Sequence, residues 1–186
     1  ISAKRINEVL DMSISINDPS SAKKATSGAL IFANVDFRYQ GAERKTLENI
    51  SFTVTKGQTL AVIGSTGAGK SSLVNLIPRL YDVEKGQVKI GGNDIRELDQ
   101  KTLHALISLA PQKSTLFCGT IRSNLLTGKP DGTDEELWAA LEMAQATEFV
   151  LTLPNGLDST VEKGGGNFSG GQKQRFSIAT TIIHRP

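Results

Sequence analysis

Thr59-Leu60-Ala61-Val62-Ile63 runs directly into Gly64-Ser65-Thr66-Gly67-Ala68-Gly69-Lys70-Ser71-Ser72, GSTGAGKSS. The nonapeptide satisfies G-x-x-x-x-G-K-[ST] in full. Its glycines have a geometric reason: backbone N–H groups must wrap a β-phosphate closely, and side chains would block that approach. Lys70 can reach the β- and γ-phosphates, and the Ser71 hydroxyl can ligate Mg²⁺. The flanks agree with the motif. Thr59–Gly64 is a continuous apolar run, which predicts a strand buried on both faces. The pattern after it predicts a helix from Lys70 to Leu80, whose N-terminus favours an anion. A phosphate loop between strand and helix predicts an α/β domain.

The loop alone does not choose a reaction, because GTPases, kinases, helicases and transport ATPases share it. A GTPase would also carry an Asn/Thr-Lys-x-Asp base-reading motif, and none follows here. Composition narrows the field further. The 186 residues hold 21 Lys and Arg against 19 Asp and Glu, a net charge of +2. That balance lacks the basic face of a general nucleic-acid binder. No apolar run reaches the roughly 18 residues of a membrane span. The one cysteine, Cys118, excludes an intrachain disulfide and reads as a small buried or half-buried residue. Two histidines, His104 and His184, are too few for a zinc site with it and make a Ser/His/Asp or Cys/His catalytic set a poor reading.

Upstream of the loop, Ile6, Val9 and Leu10 share one helical face, and residues 13–28 read as a Ser/Pro/Gly-rich linker. This predicts a domain boundary near Gly28, with 1–28 a linker and 29–186 the folded domain. Ile31, Ala33, Val35, Phe37 and Tyr39 alternate as in a strand, as do Ile50, Phe52 and Val54 before a Lys56-Gly57 turn. Gly86–Ile95 reads as a short strand ending in a Gly-Gly turn. Residues 106–112, LISLAPQ, read as another buried strand, stopped at Pro111. Asp134 is placed as the cap of a helix whose Leu137, Trp138, Leu141 and Ala144 share a face. Gly171–Ile183 reads as a further helix. The order predicts an α/β fold with an antiparallel β portion at its start.

A second glycine motif, Asn167-Phe168-Ser169-Gly170-Gly171-Gln172-Lys173-Gln174-Arg175, discriminates. Ser-Gly-Gly at a helix start offers a hydroxyl and unobstructed N–H groups, suited to a γ-phosphate. Together with the phosphate loop it resembles the signature Leu-Ser-Gly-Gly-Gln of the ATP-binding cassette (ABC) family, with Phe168 in the first place. Two further residues fall in the family's order. Tyr39, in Phe37-Arg38-Tyr39, stands where the family has an aromatic that stacks on adenine; read alone, it is the last apolar residue of a strand. Gln112, in Pro111-Gln112, matches the family glutamine that touches Mg²⁺ or the attacking water and senses the transmembrane partner. The resemblance runs from about Ala29 to the C-terminus.

The resemblance implies a P-loop ABC-type ATPase domain, α/β with an antiparallel β subdomain and a helical signature subdomain. ATP would be held by Tyr39, Gly64, Ser65, Thr66, Gly67, Ala68, Gly69, Lys70, Ser71, Ser72 and Gln112. The expected metal contacts are Ser71 and Gln112, and Lys70 and Gln112 have catalytic roles. Ser169, Gly170, Gly171 and Gln172 would contact the ATP of a second nucleotide-binding domain, identical or related, with Ser169 acting in trans. Residues 47–64, 94–99 and 116–125 look like exporters with a fused membrane domain. Residues 2–11 look like the segment after the last membrane helix, so the domain is expected at the cytoplasmic face of a membrane.

Three departures stand out. Glu162, in Val161–Asn167, sits one place earlier than in the family's commoner X-loop. Thr180 and Thr181 stand where the family has Arg-Ala, either as neutral variation or as a lost Arg contact. Finally, the family's Asp-Glu pair, which holds Mg²⁺ and polarises water, follows an apolar strand after the signature helix. It occurs nowhere here, so it is expected beyond Pro186, with an incomplete core sheet and little or no hydrolysis by this segment alone. His184 precedes that strand and reads as a surface helix-end residue. Two other functions remain in view: a soluble ABC ATPase acting on nucleic acid or the ribosome, and a non-hydrolysing ATP-binding regulatory module. The motif spacing leaves no room for the coiled coil of DNA-repair types.

Overall fold

The computed structural model describes residues 2–24 and 26–184. Ala25 of the expected linker and the closing Arg185-Pro186 lie outside the described residues. The chain divides into two compact units at Ile107/Ser108, each built on its own hydrophobic core.

The first unit opens with α1 (Ser2–Leu10). The Ile6, Val9 and Leu10 stripe forms as expected but faces solvent, with 59%, 68% and 74% of each residue exposed. The segment after it is tied down by hydrogen bonds. The Asp18 carboxylate accepts from the Gln100 N–H at 2.8 Å, and Lys23 N–H donates to the Glu97 carbonyl at 2.9 Å. The Lys23 ammonium also pairs with the Glu97 carboxylate at 2.9 Å. Thr26 Oγ1 donates to the Gly91 carbonyl at 3.1 Å.

A four-stranded antiparallel sheet follows, in the order β2-β1-β3-β4, from β1 (Leu30–Phe37), β2 (Leu47–Val54), β3 (Lys85–Ile90) and β4 (Asn93–Asp94). The β1 alternation does not run straight through. Phe32, Val35 and Phe37 are buried, whereas Ile31 is only half-buried. Asn34 takes a left-handed φ of 48°, and the pairing shifts register between Phe32 and Val35. That bulge re-aims the strand. Helix α2 (Lys70–Leu76) packs Leu73 and Leu76 into the same core. It is shorter than the expected Lys70–Leu80, because Pro78 cannot continue an N–H ladder and residues 77–79 turn. Asp99 caps α3 (Gln100–Ala105).

Neither expected buried strand forms. Residues 59–64 carry no regular structure, and Leu60, Val62 and Ile63 are 48%, 41% and 92% exposed. Residues 106–112 likewise form no strand. A run apolar on both sides is stable as a strand only with paired neighbours and covered faces. Among the described residues no strand pairs with either segment.

In the second unit, α4 (Ile121–Leu125), α5 (Asp134–Met143), α6 (Thr147–Leu151) and α7 (Gly170–Ile183) surround a core that includes Leu125, Leu137, Leu141, Phe176 and Ile183. A two-stranded pair, β5 (Gly119–Thr120) and β6 (Thr160–Val161), closes one side. Each such side chain taken out of water contributes about 1.5–3 kcal/mol. Thr133, not Asp134, caps α5: its hydroxyl accepts from Glu136 N–H while the Glu136 carboxylate accepts from Thr133 N–H. Asp134 is the first helical residue, where its charge favours the positive end of the helix. Cys118 is exposed rather than buried: it follows the exposed Phe117 on an irregular stretch whose inward side chain is Leu116.

Candidate functional site

The phosphate loop lies in the first unit. Gly67 and Gly69 have φ of 84° and 86°, left-handed values that favour glycine. Gly69 is the N-cap of α2, and a Cβ there would lie 2.9 Å from both Leu47 Cδ2 and the Thr46 carbonyl. The loop therefore needs glycine at 69 for both torsion and space. Ala68 N–H donates to the Ser65 carbonyl at 3.2 Å. The N–H groups of Thr66, Gly67 and Gly69 donate to no protein acceptor among the described residues. Free donors in a glycine turn are what an anion requires.

Lys70 folds back along the loop. Its ammonium donates to the Gly64 carbonyl at 2.8 Å and the Ser65 carbonyl at 2.7 Å. Lysine has three N–H donors, so one remains for a phosphate oxygen. Ser71 is exposed, and its hydroxyl has no partner among the described residues. Such an oxygen suits a hard divalent cation, which takes oxygen ligands. Ser72 is different: it is 6% exposed, and its hydroxyl lies 2.9 Å from the Tyr39 hydroxyl. The Tyr39 ring meets Phe37 and Tyr81 edge-on, with centroids 4.8 and 5.1 Å away. Tyr39 and Ser72 thus brace the first turn of α2 against the end of β1.

The other expected residues lie in the second unit. Gln112 is exposed in an irregular segment, with no side-chain partner among the described residues. Ser169 is the N-cap of α7. Its hydroxyl accepts from Gln172 N–H at 3.2 Å, and the Gln172 side-chain oxygen accepts from Ser169 N–H at 2.9 Å. This reciprocal box fixes the helix start. Between them, Gly170 and Gly171 have ordinary helical torsions, and a Cβ on either would meet nothing within 4 Å. Phe168 is buried and meets Phe176 edge-on, with centroids 5.1 Å apart. The Phe-for-Leu change therefore serves the core. The Thr180 and Thr181 hydroxyls donate back to the Phe176 and Ser177 carbonyls at 2.9 and 2.8 Å. Glu162 N–H donates to the Asn167 side chain at 3.1 Å. His184 is exposed at the C-cap of α7, 2.9 Å from the Ser108 hydroxyl.

Two residues escaped the sequence reading. Arg122 pairs with both Asp134 and Asp158, and this contact holds the Asp158 carboxyl below its ordinary pKa. Asn124 is 5% exposed and bonds the Phe117 backbone. A signal for Asn124 was present: Ile121, Asn124 and Leu125 fall at i, i+3, i+4, which puts an amide on the buried face.

Among the described residues no group of His, Cys, Asp and Glu could hold a metal by itself, and no helix is long and apolar enough to cross a membrane.

Fold and loop together define a phosphate-loop protein. The model of the ABC transporter family matches residues 47–186. The chain belongs to that family. It is 45% identical over its whole length to an uncharacterized ABC transporter ATP-binding protein of Mycobacterium tuberculosis, of which it covers 33%. It is 40% identical to a putative multidrug export ATP-binding/permease protein of Bacillus subtilis, covering all of this chain and 32% of that one. A solved structure of a bacterial Atm1-family ABC exporter with ATP bound superposes with a TM-score of 0.91 at 34% identity, over 99% of this chain and 32% of that one. The chain spans about a third of the length of these relatives.

Proposed function

We propose that this chain is the ATP-binding part of the motor domain of an exporter, and that the full-length protein couples ATP hydrolysis to transport across a membrane. In the first unit, Gly64–Ser71 takes the phosphates. The free loop N–H groups donate to them, and Lys70 supplies its remaining N–H and its charge, a charge-assisted hydrogen bond being worth about 1.5–3 kcal/mol. Tyr39 presents an aromatic ring to the base. The Ser71 hydroxyl would be a ligand of Mg²⁺, which would supply charge neutralisation to the phosphates, and Gln112 keeps the nucleotide-site role that the family likeness implies. A second nucleotide-binding domain faces this one, and the Ser169–Gln172 turn of each contacts the ATP of the other. A membrane domain is the other partner, which places the unit at the cytoplasmic face.

The observation that carries this reading is the Gly170-Gly171 pair. Glycine costs up to about 1 kcal/mol relative to alanine in a helix interior and less in its first turn. Neither torsion nor packing demands glycine at these positions, whereas close approach of a phosphate does. The Bacillus subtilis relative named as a putative multidrug export protein supports the exporter reading. The test is Ser169→Ala or Gly170→Asp in the full-length protein. Transport-coupled hydrolysis is expected to disappear while equilibrium ATP binding to the separate domain persists. Loss of ATP binding by the separate domain would show that the trans assignment is wrong.

A further inference from the structure

The segment that carries Gln112 is held in an unusual way. Among the described residues, no backbone–backbone hydrogen bond reaches residues 108–118. At its start, the Ser108 hydroxyl meets His184 at the end of α7. At its other end, the Asn124 side chain from α4 grips both polar groups of one residue. Its oxygen accepts from Phe117 N–H at 2.8 Å, and its amide donates to the Phe117 carbonyl at 2.9 Å. The same amide donates to the Thr120 carbonyl at 2.9 Å, one turn back in the chain. The Phe117 ring does not anchor this end, because the residue is 65% exposed.

We propose that Asn124 is a positioning residue for Gln112: its two-point grip on Phe117 sets where the Gln112 segment stands relative to the helices of the second unit. This rests on the reading of Gln112 as a nucleotide-site residue. A core position flanked by Ile121 and Leu125 gains nothing from an amide as such, since a buried polar group costs free energy unless every partner is met. Here every bond of that amide goes to a backbone carbonyl or N–H at residues 117 and 120, so the residue specifies a backbone path. The segment between the two ties has no ladder to hold it; besides them it is anchored by Leu116, which is buried in the second unit's core beside the Asn124 grip, so that grip sets the backbone path by which the segment leaves the core. Displacement of a catalytic group by about 1 Å costs on the order of a hundredfold in rate.

The test uses the full-length protein with three variants, Gln112→Ala, Asn124→Ala and Asn124→Asp. Asn124→Asp differs by one atom and keeps the acceptor for Phe117 N–H, so it carries the test if the alanine variant does not fold. The Asn124 variants are expected to lower kcat by about tenfold to a hundredfold with ATP affinity unchanged. Amide exchange over residues 109–117 should rise, by about tenfold at Phe117 in the alanine variant for the loss of one buried hydrogen bond, with α5 and α7 as protected as before. A merely structural role would instead raise exchange throughout the second unit and weaken ATP binding. If Gln112→Ala leaves kcat unchanged, the reading of Gln112 falls and the proposal with it. If Gln112→Ala lowers kcat while the Asn124 variants keep wild-type turnover or wild-type exchange, the clamp is overturned and the Gln112 reading stands.

Discussion

Gly69 and Gly170 each stand at the first turn of a helix, one just before Lys70 and one just after Ser169. Gly69 has a left-handed torsion and no room for a methyl group beside Leu47 and Thr46. Gly170 has a helical torsion and open space around it. The fold itself requires the first glycine. The second is left over once the fold is satisfied, and an unused structural allowance is a better pointer to a ligand than a strained one. The two motifs look alike in sequence, and only the local geometry separates a glycine the backbone needs from a glycine something else needs.

The comparison breaks most visibly at Gly69. Gly69→Ala forces a non-glycine residue into the left-handed region at about 1–2 kcal/mol and adds a contact in a filled space at about 1–3 kcal/mol. Denaturant unfolding should show a loss within the sum of these ranges, accompanied by loss of ATP binding. An unchanged midpoint would mean that the loop has a relaxed alternative. Gly170→Ala should behave oppositely: thermal stability unchanged or raised by up to about 1 kcal/mol, and hydrolysis by the full-length protein reduced. Full hydrolysis in that variant would remove the argument from close approach.

The smallest expected effect concerns acid. Lys45 holds Asp36 in the first unit below its ordinary pKa by a direct hydrogen bond, helped by Asn49 N–H. Arg122 does the same for Asp158 in the second. A depressed carboxylate contributes stability above its unfolded pKa of about 3.9 and loses it as pH falls through the lower folded value. Acid titration followed by circular dichroism should therefore show loss of structure below about pH 4. Lys45→Met and Arg122→Met should each flatten the pH dependence without changing the order of the glycine variants.

Much of this was legible beforehand, for identifiable reasons. Local chemistry announces both glycine motifs, the strands marked by alternation at Ile31–Tyr39 and Ile50–Val54, and the helix over Gly171–Ile183, which form at Leu30–Phe37, Leu47–Val54 and Gly170–Ile183. Strands at 59–64 and 106–112 were expected from apolar runs and did not form, because burial on two faces depends on neighbours that a run does not encode. The bulge at Asn34 was hidden since alternation carries no mark of an inserted residue. Thr133 and Asp134 are both good cap residues by type, and which of them caps α5 depends on which one reaches Glu136. Motif position marks Tyr39 and Ser72 separately. That their hydroxyls meet depends on strand and helix being packed together.

The hydrogen-bonded segment after α1 has a practical consequence for anyone dissecting this protein. Its composition invites a cut near Gly28. A fragment that starts there would lose the Asp18 contact to the first N–H of α3, the Lys23 bridge to Glu97 and the Thr26 contact to Gly91. Stability or exchange differences measured on such a piece would report the surgery before they reported the nucleotide site.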